Sequence, residues 1–219
     1  MKSDHQQSIG EEIANAISHG VMAIFGIVAL ILLLIKSTSA LEALTATIFA
    51  FGIIMLYTMS TLYHALTNRT AKAVMRRFDH LSIYLLIGGT FAPPLLLLPG
   101  LRSPFLGIEG MLSTGLTLFI VQWVLIVIGV VFKSIWIGRF PRIHVFFYLA
   151  MGWSALVFIR ALIDYDQSAY HYVLFGGIAY TVGVVFYTMP RIRYFHFVWH
   201  VFTSIGTILQ FIAIYAFLY

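Results

Sequence analysis

Seven apolar runs, each of about 20 residues or more, follow one another along this chain with only short breaks between them. A helix of that length crosses the roughly 30 Å hydrocarbon layer of a bilayer. Lipid offers no water to unpaired backbone groups, so a spanning segment is either a helix or a strand of a closed barrel. A barrel would show short stretches of alternating hydrophobicity, and none occur. Composition leads to the same conclusion: the chain is 61% hydrophobic and 10% charged, with mean hydropathy +0.95, whereas a soluble domain is about half apolar and a quarter charged. The expected fold is all-α, a seven-transmembrane-helix bundle forming a single domain over residues 1–219 of a multi-pass protein of the cell membrane. The polar start, MKSDHQQSIG, lacks the charged region and short apolar run of a cleaved signal peptide. Without cysteine there are no disulfides and no thiolate metal ligands.

The runs predict spans over about 14–35, 42–65, 78–98, 107–132, 142–160, 170–189 and 195–218, with ends good to a few residues. Pro99, Pro104, Pro141 and Pro190 fall at or near the breaks. Pro93 and Pro94 lie inside span 3 and predict a kink there. Gly88, Gly89, Gly176 and Gly177 suit close helix packing. The longest loop is expected over about residues 66–77.

Lysine and arginine set the orientation. Lys2, Arg69, Lys72, Arg76, Arg77, Lys133, Arg139, Arg142, Arg191 and Arg193 fall on one side, and Lys36, Arg102 and Arg160 on the other. This asymmetry predicts a cytoplasmic N-terminus and, after seven spans, an external C-terminus. It also accounts for the formal net charge of +5, so no nucleic-acid partner is expected.

Threading the chain through a membrane in this way brings its ionisable residues to one depth. His64 lies near the cytoplasmic end of span 2, Asp79 in the first turn of span 3, and His196 and His200 at the start of span 7. The last two are four apart and so share a helix face, as do Ser60 and His64. Glu12, Asn15 and His19 occupy one face at the cytoplasmic end of span 1. Intramembrane Asp is costly, by about 2.5–3.5 kcal/mol on insertion scales, so such convergence signals function. Catalytic zinc takes three protein ligands and leaves a position for water, and His64, His196 and His200 supply three imidazoles. Asp79 could orient that water or take its proton. Ser60 could polarise a substrate carbonyl, and Glu12, Asn15 and His19 could support the ligands.

Other polar residues are expected to stand apart. His5 is in the tail and His171 starts span 6 on the outer side. His80 projects about 100° from Asp79. His144 reads as interfacial, Asp164 and Asp166 as solvated, and the tryptophans as belt and packing residues.

The ordered pattern E-I-A-N-A-I-S-H (Glu12, Asn15, His19), S-T-L-Y-H (Ser60, His64), F-D-H (Asp79) and H-F-V-W-H (His196, His200) resembles the hemolysin III family. That family is the bacterial branch of the progestin and adipoQ receptor superfamily. The resemblance covers almost the whole chain. It implies a seven-helix bundle with zinc near the cytoplasmic side, liganded by His64, His196 and His200, with Asp79 and Ser60 close to the bound water. It also implies a more distant relation to alkaline ceramidases, which are membrane zinc amidases acting on lipids. Three functions follow as expectations: first a zinc-dependent hydrolase of a lipid amide or ester, with membrane lipids as partners and substrate; then a membrane sensor or receptor with structural zinc; last a pore-forming cytolysin. The apolar chain has no latent inserting segment, and its outer loops are short for a protein-ligand receptor.

Overall fold

The computed structural model describes residues 7–136 and 140–219. Lys2, His5 and Arg139, used in the reading above, lie outside the described residues. The helices are α1 (Ile9–Lys36), α2 (Ala40–Ala65), α3 (Arg69–Leu97), α4 (Thr114–Ile135), α5 (Pro141–Trp153), α6 (Ile159–Tyr165), α7 (Gln167–Tyr187) and α8 (Phe195–Ala213). A 3₁₀ segment, Ser154–Phe158, joins α5 to α6, and a π-helical turn, Ile214–Leu218, extends α8. Among the described residues seven helical segments are long and apolar enough to cross a membrane, α5 and α6 together forming the fifth. Among the described residues there is no strand, only one isolated bridge, Pro104 to Ser113.

α1 is an inside-out amphipathic helix. Its buried face carries Glu11, Asn15 and His19 near one end and turns apolar from Met22 through Leu33, while Ile13, Ile17, Val21 and Ile24 are exposed on the opposite face. Lipid tails cover that apolar face, so the polar end of the inner face marks where a site can form. The helix starts on a capping box: Ser8 accepts from Glu11 N–H, and the Glu11 carboxylate accepts from Ser8 N–H at 2.8 Å.

Helices in lipid gain little from the hydrophobic effect between themselves and rely on close packing and hydrogen bonds. α2 and α3 pack where glycine removes side chains: a Cβ on Gly52 would lie 2.5 Å from the Leu85 carbonyl oxygen, and one on Gly89 2.8 Å from that of Ile48. Gly88 and Gly176 are similarly tight, whereas Gly177 has room. Buried hydroxyls join three helices, Tyr57 meeting Thr207 at 2.7 Å and Tyr180 meeting it at 2.9 Å. At the other end of the bundle, Lys36 Nζ donates to the Tyr215 carbonyl at 2.8 Å and Tyr219 Oη to that of Glu42 at 2.7 Å. These bonds tie the chain's end to α1 and α2.

Several boundaries differ from the sequence reading. α3 begins at Arg69, so the expected loop over 66–77 is mostly helix and its basic residues are helical. RTAKAVMRR is polar but consists largely of strong helix formers, and Asn68 caps it by accepting from Ala71 N–H at 3.0 Å. Asp79 therefore lies about 15 Å along α3, not in its first turn. The other end of α3 is as expected, running through Pro93 and Pro94 to Leu97. α4 starts at Thr114 rather than near 107, after two short 3₁₀ segments.

Candidate metal centre

The two ends of the chain's helical register meet at one point. α2 carries His64 in its last turn. α8 begins at Phe195 and so presents His196 and, one turn deeper, His200. One donor nitrogen from each of the three histidines lies within 4.8 Å of the other two. Ring centroids are 5.1 Å apart for His64–His200, 5.2 Å for His64–His196 and 4.7 Å for His196–His200. Zinc bound at about 2.0–2.1 Å to tetrahedral imidazoles needs nitrogens roughly 3.3 Å apart, which small side-chain rotations supply.

The surrounding hydrogen bonds fit a metal. His64 Nδ1 meets the Glu12 carboxylate at 2.7 Å, and its Nε2 is buried with no hydrogen-bond partner. A carboxylate that engages one ring nitrogen fixes the tautomer and turns the other nitrogen's lone pair toward a metal. His200 Nδ1 meets Ser18 Oγ at 3.3 Å, which leaves Nε2 as its free donor. Glu12 also accepts from Lys72 Nζ at 2.7 Å, so its charge is shared between a cation and the ligand.

His19 stacks flat on His200, with centroids 3.4 Å apart and planes at 8°, and meets the edge of Tyr57. It packs against a ligand rather than completing the trio, and both of its nitrogens lack partners. Asn15 is fully buried: its side chain donates to Gln7 Oε1 at 2.9 Å, and its backbone carbonyl accepts from the His200 ring. Ser60, buried on α2 one turn before His64, faces the Asp79 carboxyl, which also faces His64. Both Ser60 and Asp79 line the large cavity beside the histidines.

Three supporting residues were not found by sequence reasoning. Ser18 and Lys72 give no signal without helix rotations. Glu11 could have been found from its S-x-x-E capping box: it also accepts from Tyr194 N–H at 2.8 Å, which ties the start of α1 to that of α8. Two outlying expectations change: His144 is buried rather than interfacial, and Asp166 caps α7 by accepting from Ala169 N–H at 2.9 Å. Asp164 is exposed, pairing with Arg160 at 3.3 Å, and Trp153 packs between helices, bonding Thr181 at 3.1 Å.

The cavity measures 1410 Å³, above the roughly 300–1,000 Å³ of typical small-molecule sites. The histidines, Ser60 and Asp79 form its polar end, and it runs through the bundle to Phe158, Leu162 and Leu218. It is suited to a long apolar molecule with a polar group at the histidine end.

Glu12→Gln keeps the side-chain shape but removes the charge that orients His64. Metal affinity should fall by about 10–100-fold, measured by competition with a chelator. Unchanged affinity would show that the Glu12 contact does not support the centre.

A family model described as "Haemolysin-III related" matches residues 7–211. The chain is 36% identical over 211 residues to a "Hemolysin-3 homolog" of Bacillus subtilis (strain 168), covering 94% of each chain. It is 34% identical over 212 residues to "Hemolysin-3" of Bacillus cereus, covering 95% of this chain and 92% of that one. It is also 28% identical over 215 residues to the "Monocyte to macrophage differentiation factor" of Homo sapiens, covering 95% and 85%. No solved structure matches.

Proposed function

This chain belongs to the Haemolysin-III related family, and from that premise we propose that it is a zinc-dependent hydrolase of lipid amide or ester bonds, acting from within the membrane in lipid homeostasis. The observation that carries this reading is the position of the three histidines at the polar end of a long apolar cavity. Three imidazoles without thiolates match the ligand set of catalytic zinc, in which a further position stays open. Zinc held there would supply a Lewis acid and a water activated near neutral pH.

The chain's own residues do the rest. The apolar walls hold an acyl chain and keep bulk water out. The scissile carbonyl then lies at the histidine end, beside Ser60 and Asp79. The Asp79 carboxylate accepts the proton of the attacking water and returns it to the leaving amine or alcohol as the C–N or C–O bond breaks, and the Ser60 hydroxyl donates to the carbonyl oxygen as charge builds on it. Glu12 holds the His64 ring through Nδ1.

The Bacillus relatives' name favours a second reading, membrane lysis, which would not need the histidines. The two readings separate in one experiment. Purified protein in liposomes containing ceramide-like and phospholipid substrates should release free fatty acid, and chelation should abolish the release. If no fatty acid appears while liposomes leak equally with wild type and His200→Ala, the lytic reading replaces the hydrolytic one.

We place the N-terminus, and with it the histidines, on the cytoplasmic side because ten of the thirteen basic residues fall there. Alkaline phosphatase fused to the C-terminus should be active, and fused to the N-terminus inactive. The reverse pattern would move the site to the external side.

A further inference from the structure

Beside the metal centre, α3, α4 and α5 enclose a second set of polar groups that the hydrolytic reading does not use. Lys133 on α4 is 4% exposed and His144 on α5 is 1% exposed. A lysine near a helix end ordinarily carries its side chain out to water; this one folds its side chain into the protein. The described ion pairs join Glu12 to His64 and Lys72, and Asp164 to Arg160. Among the described residues none includes Lys133, and no hydrogen bond reaches its ammonium. Nδ1 of His80 on α3 is buried without a partner, and the ring nitrogens of His144 are buried with only the backbone of Trp136 acting on the ring. Arg76 lies one turn before His80, and its positive charge reaches both His80 and Lys133. Lys133 in turn acts on His80 and His144. Four basic groups thus act on one another; the Asp79 carboxyl acts on Arg76, but among the described residues none of the four is in an ion pair.

A buried charge without a counter-ion is costly, and unpaired buried donors add to the cost. An anion relieves both. We propose that Arg76, His80, Lys133 and His144 form a binding site for a phosphate oxyanion. Arginine forms a bidentate fork to such a group, lysine adds a mobile point charge, and each neutral imidazole adds one N–H. Arg76, His80 and Arg142 line the cavity at this corner, so the oxyanion enters from the cavity, and Lys133 reaches it by turning its flexible stem. α5 starts here with Phe140 at its N-cap and no side-chain cap, which adds the positive end of a 13-residue helix. Basic pockets between spans at this depth suit phospholipid headgroups. Free phosphate has the same chemistry, and the test separates the two sources.

Thermal unfolding of the purified full chain would be followed in nanodiscs of neutral phosphatidylcholine, in discs containing phosphatidylglycerol, and in neutral discs with inorganic phosphate. The protein should gain about 5 °C or more in Tm with the group it binds. A gain in phosphatidylglycerol discs alone identifies a lipid headgroup, and a gain with inorganic phosphate identifies the free anion. Lys133→Met and His144→Gln should lose the gain, while Arg160→Gln, at the opposite end of the bundle, should keep it. Lys133→Met should also raise Tm in neutral discs, because it removes an unpaired buried charge. No gain from either source, an equal gain in Lys133→Met, or a lower Tm for Lys133→Met in neutral discs would each overturn the site. None of these readouts depends on zinc or on hydrolysis.

Discussion

Purified His200→Ala protein should contain almost no metal. His200 is one of three donors that converge within 4.8 Å. Its loss should lower affinity by more than the roughly 10–100-fold expected for a supporting partner such as Glu12. The same should hold for His64→Ala and His196→Ala, while His171→Ala, at the far end of the bundle, should bind normally. Because the ligands join α2 to α8, metal loss should also lower stability. At a free metal concentration of 100 Kd the linkage is about 2.7 kcal/mol, or about 5–10 °C in Tm for a chain of this size. The ring of His19, 3.4 Å from that of His200, is placed to substitute. Full metal occupancy in the double variant His19→Ala/His200→Ala would sink the assignment.

Asp79→Asn should keep the metal and lose most turnover, by about 10²–10⁴-fold in kcat. The amide has the carboxylate's shape but cannot accept a proton from water. Ser60→Ala should cost about 10²–10³-fold if its hydroxyl meets the developing oxyanion. Metal analysis beside fatty-acid release decides the matter. Metal lost with Asp79→Asn would make Asp79 a ligand, and full turnover without its carboxylate would remove it from the chemistry.

The seven spans were legible because lipid permits few alternatives: an apolar run of spanning length has to be a helix. The three histidines were legible because topology fixes membrane depth and a spacing of four fixes a face. The start of α3 was not, because hydropathy marks where a helix leaves the apolar layer rather than where it ends, and Arg69–Arg77 stay helical outside it. The bond between Glu12 and His64 depends on how α1 and α2 are rotated about their axes, which sequence does not give. Lys133 and His144 show the same gap. At a helix end either residue reads as reaching for water, and only packing shows that both turn inward.

The placement of the histidines on α2 and α8 also fixes an order of events in biosynthesis. A chain emerges N-terminus first, so α1 and α2 are made, and can pair, well before His196 and His200 exist. Until the last span joins the bundle, the site has a single ligand and no affinity to speak of. Metal uptake would therefore report a completed chain: a product truncated before α8 keeps the first six spans but lacks both His196 and His200 and one wall of the cavity.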